Sequence, residues 1–223
     1  MWTIEVKGNK VIISKNCFGK NNYFSGSDEE RSADLQFGID HEEVKAIFCA
    51  RGGYGSVRIL DSLNWANMLR EPKWLVGYSD ITVFHQRLNK LGVQSIHGIM
   101  PFNYGSNSNQ ALTSLFSALE NTNYTISAKL NESNCHGKAN GMLIGGNLSI
   151  VYSLLGTNDS YLFEDKIYYY TFENQLSTRI NINEKTTTTA LDMIKTGWRL
   201  SHAIKTSQSA QLESFNFLLI FEK

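Results

Sequence analysis

Gly77-Tyr78-Ser79-Asp80 sets a hydroxyl between a short apolar run and a helical pattern. A serine on such a strand-to-helix turn stands clear of the sheet and faces the helix N-terminus, the placement a nucleophile needs. The Asp80 amide is then one free donor for an oxyanion, and the Gly52-Gly53 turn offers a second. The match to the hydrolase elbow Gly-x-Ser-x-Gly is incomplete, because Ile81 stands where the last glycine belongs. The same position also suits a serine that only caps the helix behind it.

Other groups with chemistry lie close in sequence. Arg51 and Arg58 flank Gly52-Gly53-Tyr54-Gly55. Either guanidinium is a surface charge or a bidentate receptor for a substrate carboxylate. The glycine turn lacks the lysine and following Ser/Thr of a P-loop, and it does not spell Gly-x-Gly-x-x-Gly. His85 sits six residues beyond Ser79, off its helical face, and His97 ends an apolar run. Both fit hydrogen-bonded structural histidines better than a base, while His41 and His136 fall in polar loop sequence. The acidic run Asp28-Glu29-Glu30 suits the first turn of a helix rather than a metal. Cys17, Cys49 and Cys135 cannot all pair and have no metal spacing. Cys49, within an apolar run, reads as inert core.

Two apolar runs deliver the two turns, Val44-Lys-Ala-Ile-Phe-Cys-Ala50 and Trp74-Leu-Val76. Each reads as a buried parallel strand ending at glycine. Behind the first turn Val57, Leu60 and Leu63 keep helical spacing; behind the second Ile81, Phe84, Leu88 and Leu91 do, with Gly92 as C-cap. Adjacent parallel strands bring their C-terminal turns together, so Gly53 and Ser79 are expected as neighbours at one sheet edge.

Upstream, Trp2–Val6 and Lys10–Ile13 read as strands around Gly8-Asn9. Ser27-Asp-Glu-Glu30 is a capping box opening a helix through Leu35. Downstream, a third strand covers Val93 to Ile96 and a loop covers Asn103 to Asn109. Leu112, Leu115, Phe116 and Leu119 then mark an amphipathic helix. Tyr124-Thr-Ile-Ser is a short strand pattern within a polar connector, and Asn147 caps a helix ended by Gly156.

The 223 residues, 42% hydrophobic and 19% charged, suit a globular protein of one large domain or two small ones. Lys plus Arg and Asp plus Glu are both 21, so no basic excess argues for nucleic acid or anionic lipid. No run is long and apolar enough for a membrane span. Free thiols and no evident signal sequence favour the cytoplasm.

Arg51-Gly-Gly-Tyr-Gly-Ser56, Pro72-Lys-Trp-Leu-Val-Gly-Tyr-Ser-Asp-Ile-Thr82 and His97-Gly-Ile-Met100 together resemble the LD-carboxypeptidase family of serine peptidases. That family includes muramoyl-tetrapeptide carboxypeptidases and microcin-immunity hydrolases. Tyr23–Leu35, Gly141–Ser149 and Leu155–Thr157 extend the resemblance, which runs from about Trp2 to Ile167. It implies an α/β fold: a parallel sheet flanked by helices, then a second, smaller C-terminal domain whose completeness stays open. The expected division is residues 1–121 as the nucleophile domain, 122–140 as connector and 141–223 as the C-terminal domain, divergent after 167. The resemblance makes Ser79 the nucleophile; the turns themselves offer Gly53 and Asp80 as the oxyanion donors and Arg51 with Tyr54 as candidate substrate contacts. It implies no metal and no cofactor, a murein-derived peptide as substrate, and a homodimer.

Two features depart from the family. Its opening strand and helix, with a Gly-Asp-x-Ile start, have no counterpart before Trp2. Its Ser-His-Glu triad is not matched after Ile167. Counting without gaps puts Thr171 at the glutamate position, and a slip of two residues brings Glu173 there. The Pro-x-Gly-His motif that carries the family's histidine is absent, and His202 is the one histidine downstream. The expected function is therefore release of D-alanine from murein tetrapeptide, impaired in this chain. The alternatives are an inactive member that only binds peptide, and a microcin-type amide hydrolase.

Overall fold

The computed structural model describes residues 10–120, 125–126, 138–164, 166–171, 199–209 and 212–222, the last two stretches as backbone. The chain divides into two units, Met1–Ile126 and Ser127–Lys223.

In the first unit, helix α1 spans Asp28–Asp40. Its capping box forms as the sequence predicts: Glu30 N–H donates to Ser27 Oγ at 3.2 Å, and Ser27 N–H donates to Glu30 Oε2 at 2.8 Å. The helix runs past Leu35 because its far end is held from outside. Lys73 Nζ donates to the carbonyls of Gly38, Ile39 and His41 at 3.1, 2.7 and 2.6 Å. A cation on the orphan carbonyls of a last turn also complements the helix dipole.

Strands β1 (Ala46–Phe48), β2 (Trp74–Gly77) and β3 (Ile96–His97) form a parallel sheet in that order. Phe48 pairs with Val76, and Gly77 with His97. β3 is shorter than the run from Val93 and shifted toward its end. Between β1 and β2 the helical spacing becomes broken helix: α2 (Ser56–Ile59), a 3₁₀ turn over Leu60–Ser62, and α3 (Ala66–Arg70). α4 (Thr82–Lys90) follows β2, buries Val83, Phe84 and Leu88, and ends at Gly92 with φ +74°. α5 spans Asn109–Glu120.

Leu75 and Val76 are fully buried, and their side chains point to opposite faces, so β2 is covered on both. Val76 packs in one cluster with Tyr104 and with Leu115, the latter from α5, and Phe48, Trp74, Ile96 and Leu112 lie against it. Two expectations change here. Lys10–Ile13 forms no strand, and Pro101–Ser106 is a 3₁₀ segment rather than a loop. Trp2–Val6 lies outside the described residues.

In the second unit β4 (Met142–Asn147) and β5 (Lys166–Thr171) pair in parallel, with α6 (Leu148–Ser153) between them. Asn147 Oδ1 accepts from Ile150 N–H at 3.3 Å, the cap that the sequence predicts. Ile144, Leu148, Val151, Tyr161, Tyr168 and Tyr170 form this unit's core. A Cβ at Gly145 would lie 1.7 Å from the Tyr169 carbonyl oxygen, and its φ is +152°, so only glycine fits. β6 (Arg199–Ser209) and β7 (Leu212–Glu222) form an antiparallel pair that the sequence patterns did not announce. Among the described residues no helix is long and apolar enough to cross a membrane, and no cluster of His, Cys, Asp and Glu could hold a metal. The fold is α/β, built on parallel sheets flanked by helices.

Candidate active site

β2 ends at Gly77, and Ser79 opens a 3₁₀ turn to Ile81 that leads into α4. Ser79 has φ +64°, a left-handed conformation rare for a residue with a side chain. It is 5% exposed, caps neither helical segment, and its Oγ makes no hydrogen bond among the described residues. The capping alternative is therefore set aside. The tight backbone has a second cause in Gly77. A Cβ there would lie 2.8 Å from Cγ2 of Ile81. Ile81 folds back over Gly77, so the residue at the place of the elbow's last glycine packs on the glycine before the serine.

The two glycine-bearing turns meet. A Cβ at Gly52 would lie 3.1 Å from Ser79 Cβ and 3.2 Å from Asp80 Oδ1. The Asp80 carboxylate, 5% exposed, ties them. Its Oδ1 accepts from Gly53 N–H at 2.8 Å; its Oδ2 accepts from Ser56 N–H at 3.1 Å and Ser56 Oγ–H at 2.9 Å. The Gly53 amide is thus engaged by a carboxylate rather than open. The Asp80 amide sits in a first helical turn, where no intrahelical acceptor exists.

Around this centre the backbone is braced from three strands. Gly77 O accepts from Gly98 N–H at 3.1 Å, and Cys49 N–H donates to Val76 O at 3.0 Å. Asn103 Nδ2 donates to Tyr78 Oη at 2.6 Å. Arg51 is exposed and donates from Nη2 to Tyr23 O at 3.2 Å; Tyr54 is 71% exposed in the same turn.

The histidines are structural in their bonding. His85 Nε2–H donates to Gly77 O at 2.9 Å, and Nδ1 then accepts from Ser95 Oγ–H at 2.8 Å. Burial lowers its pKa to about 4. His97 lies 5.7 Å from His85, ring centre to ring centre, and its pKa falls to about 3 through burial and then that neighbour. Both stay neutral near pH 7. Burial, with the Asp80 charge second, pushes the Cys49 thiol up to about 12, so it is no nucleophile.

Among the described residues of this unit, no histidine or carboxylate hydrogen-bonds the Ser79 hydroxyl. Glu173 lies outside the described residues. Thr171 closes β5 opposite Asn147, and His202 is in β6.

Residues 2–98 match the LD-carboxypeptidase N-terminal domain. The N-terminal part of this chain belongs to the LD-carboxypeptidase family. A probable murein peptide carboxypeptidase of Bacillus subtilis is 35% identical over 160 residues, covering 69% of this chain and 50% of the relative. The murein tetrapeptide carboxypeptidase of Pseudomonas aeruginosa is 29% identical, covering 69% and 53%. The chain thus spans about half the length of these relatives. The crystal structure of muramoyltetrapeptide carboxypeptidase from Oxalobacter formigenes superposes with a TM-score of 0.64 at 28% identity, over 70% of this chain and 54% of that one. The microcin C7 self-immunity protein MccF, solved with aspartyl sulfamoyl adenosine, has the same fold, with a TM-score of 0.64 at 23% identity over 74% and 59%.

Two side chains at the candidate site lie outside what the sequence predicts. The Asp80 carboxylate acts beside its own amide, and a carboxylate next to a candidate nucleophile is itself a signal in the sequence. Arg31, which reaches Gly55 O at 2.9 Å, had a weaker one in its spacing from Asp28.

Proposed function

We propose that this chain is a serine-type LD-carboxypeptidase, acting on murein tetrapeptide to release D-alanine. The observation that carries this is Ser79 itself: a hydroxyl with no hydrogen bond among the described residues, at φ +64°, against the Gly52 turn. Its Oγ adds to the carbonyl of the L,D peptide bond. The Asp80 amide receives the oxyanion, and the Gly53 amide joins when it turns from Asp80 Oδ1. The C–N bond then breaks, the amine of D-alanine takes a proton, and water hydrolyses the Ser79 ester. Arg51 and Tyr54 take the substrate's carboxylate end. Ser79 needs a base, and Glu173 is the proposed carboxylate that would orient one.

Turnover by this chain is proposed to be slow. His85 has both ring nitrogens engaged, and burial makes His97 a weak base by disfavouring its protonated form. The same facts favour a second reading, an inactive member that binds peptide. We assign the reaction to the cytoplasm, the functional division to 1–121, 122–140 and 141–223, and the assembly to a homodimer. The test is D-alanine release from an L,D-tetrapeptide by purified protein, with aspartyl sulfamoyl adenosine as the microcin-type comparison. Turnover of about one per second or faster, abolished by Ser79→Ala, would refute the impairment. Peptide binding without turnover would favour the second reading, and neither binding nor turnover would remove the assignment.

A further inference from the structure

We infer that Arg31 is a positioning residue for the turn that faces Ser79, acting through the Gly55–Ser56 peptide unit. The inference rests on the proposed role of Ser79. Arg31 Nη1 donates to Gly55 O at 2.9 Å. On the other side of the same peptide, Ser56 N–H donates to Asp80 Oδ2 at 3.1 Å. One peptide plane is therefore held by a cation on its oxygen and an anion on its nitrogen. Charge-assisted bonds of this kind are the strong ones. Together they fix the plane's rotation, and with it the turn running back to Gly53, whose amide meets the other oxygen of Asp80.

The grip is itself supported. Arg31 Nη2 pairs with Asp28 Oδ1, and Asp28 is also bound by Arg58, whose Nε lies 3.0 and 2.9 Å from the two carboxylate oxygens. The Phe24 ring lies under both guanidinium groups, 5.0 Å from that of Arg31 and 5.3 Å from that of Arg58. The Arg31 side chain is only 14% exposed. Charges thus alternate from the surface inward: Arg58, Asp28, Arg31, the peptide, Asp80. The fit extends to Gly55, where a Cβ would lie 2.5 Å from Arg31 Nη1 and 2.9 Å from Phe24 Cδ1. A methyl group at this position must push the guanidinium aside.

Lysine cannot replace this arginine in full. The guanidinium fork serves Gly55 O and Asp28 at once, whereas an ammonium is a point charge on a flexible stem. Gly55→Ala displaces the same guanidinium without removing its charge, so the two changes should not add.

The experiment is amide hydrogen exchange, resolved by NMR on the full chain, for wild type, Arg31→Met, Arg31→Lys and Gly55→Ala. Arg31→Met should speed exchange at Ser56 and Gly53 by about tenfold to a hundredfold, the range of one charge-assisted hydrogen bond. Leu75 and Val76 of β2 should stay within about twofold. Arg31→Lys should recover part of the protection, and Gly55→Ala should match Arg31→Met, with the double variant no worse. Uniform loss across the unit would mean a merely structural arginine and overturn the inference, and so would unchanged exchange at Ser56. Gly55→Ala keeps the test decisive if Arg31→Met does not fold. The measurement needs no turnover, so failure to release D-alanine would count against the function and leave this result readable. If the wild type turns over, Arg31→Met should lower kcat with little change in KM.

Discussion

Replacing Asp80 by alanine should destabilise the first unit by about 2–4 kcal/mol. The figure is built from the donors left behind. Ser56 is 7% exposed, so its N–H loses its acceptor out of reach of bulk water. A buried donor without a partner costs roughly 1–3 kcal/mol. The Ser56 hydroxyl can rotate to another acceptor, and the half-buried Gly53 amide can take a water, so each contributes less. Removing the carboxylate also returns the desolvation that it bears when buried, which keeps the total below the sum of three bonds. Asp80→Asn should cost about 1–3 kcal/mol, because its NH₂ must face an N–H in either orientation. Urea unfolding followed by tryptophan fluorescence reads the change as a midpoint shift at constant m-value. A loss below about 0.5 kcal/mol for Asp80→Ala, the scale of an ordinary surface change, would refute the clamp.

Three further outcomes follow from buried groups. The pKa of His85 falls from 6.5 to about 4, so between those values the unfolded chain binds a proton that the folded chain does not. Stability should therefore drop as pH falls from 6.5 toward 4, by up to about 3 kcal/mol, and be flat in this contribution above 6.5. His97 adds in the same direction, and equal urea midpoints at pH 7 and pH 4.5 would contradict both. Lys73→Met strips a donor from three carbonyls at the end of α1 and should cost about 2–3 kcal/mol, seen as a lower urea midpoint; a cost under about 1 kcal/mol would mean that the helix end is held in another way. Ser79→Gly should be more stable than Ser79→Ala by about 1 kcal/mol, because only alanine keeps a Cβ at φ +64°. Equal stabilities would show that the turn is relaxed.

The order of strands, turns and helices around Ser79 was legible because each depends on short-range pattern. Apolar runs ending at glycine marked β1 and β2, and Asn147 marked the cap of α6. Tertiary effects were not legible. The end of α1 depends on Lys73, thirty-odd residues away, so spacing within the helix stopped too early at Leu35. The helix after Ser56 is broken although Val57, Leu60 and Leu63 keep its period. The Gly53 amide looked open in sequence because nothing local shows that the Asp80 carboxylate reaches it. The missing elbow glycine looked like a defect because the contact of Ile81 with Gly77 appears only in three dimensions.

A side chain at φ +64° persists only where its surroundings over-determine it. Here the constraints come from both sides of Ser79. Upstream, Gly77 O is held by His85 and by Gly98, and Tyr78 Oη by Asn103. Downstream, Asp80 is held by three donors from the facing turn. All of these groups belong to the first unit, and among its described residues no base hydrogen-bonds the serine. Under the proposed reading, positioning and activation of the nucleophile are then separate tasks. The two differ in kind: the first needs packed backbone and fixed dipoles, and the second needs one titratable group at one atom. A chain can keep the first while losing the second, and its Ser79 would still bind a carbonyl in attack geometry while turning it over slowly. That asymmetry explains why exchange at Gly53 and Ser56 reports on the site's construction, whereas D-alanine release alone reports on its base.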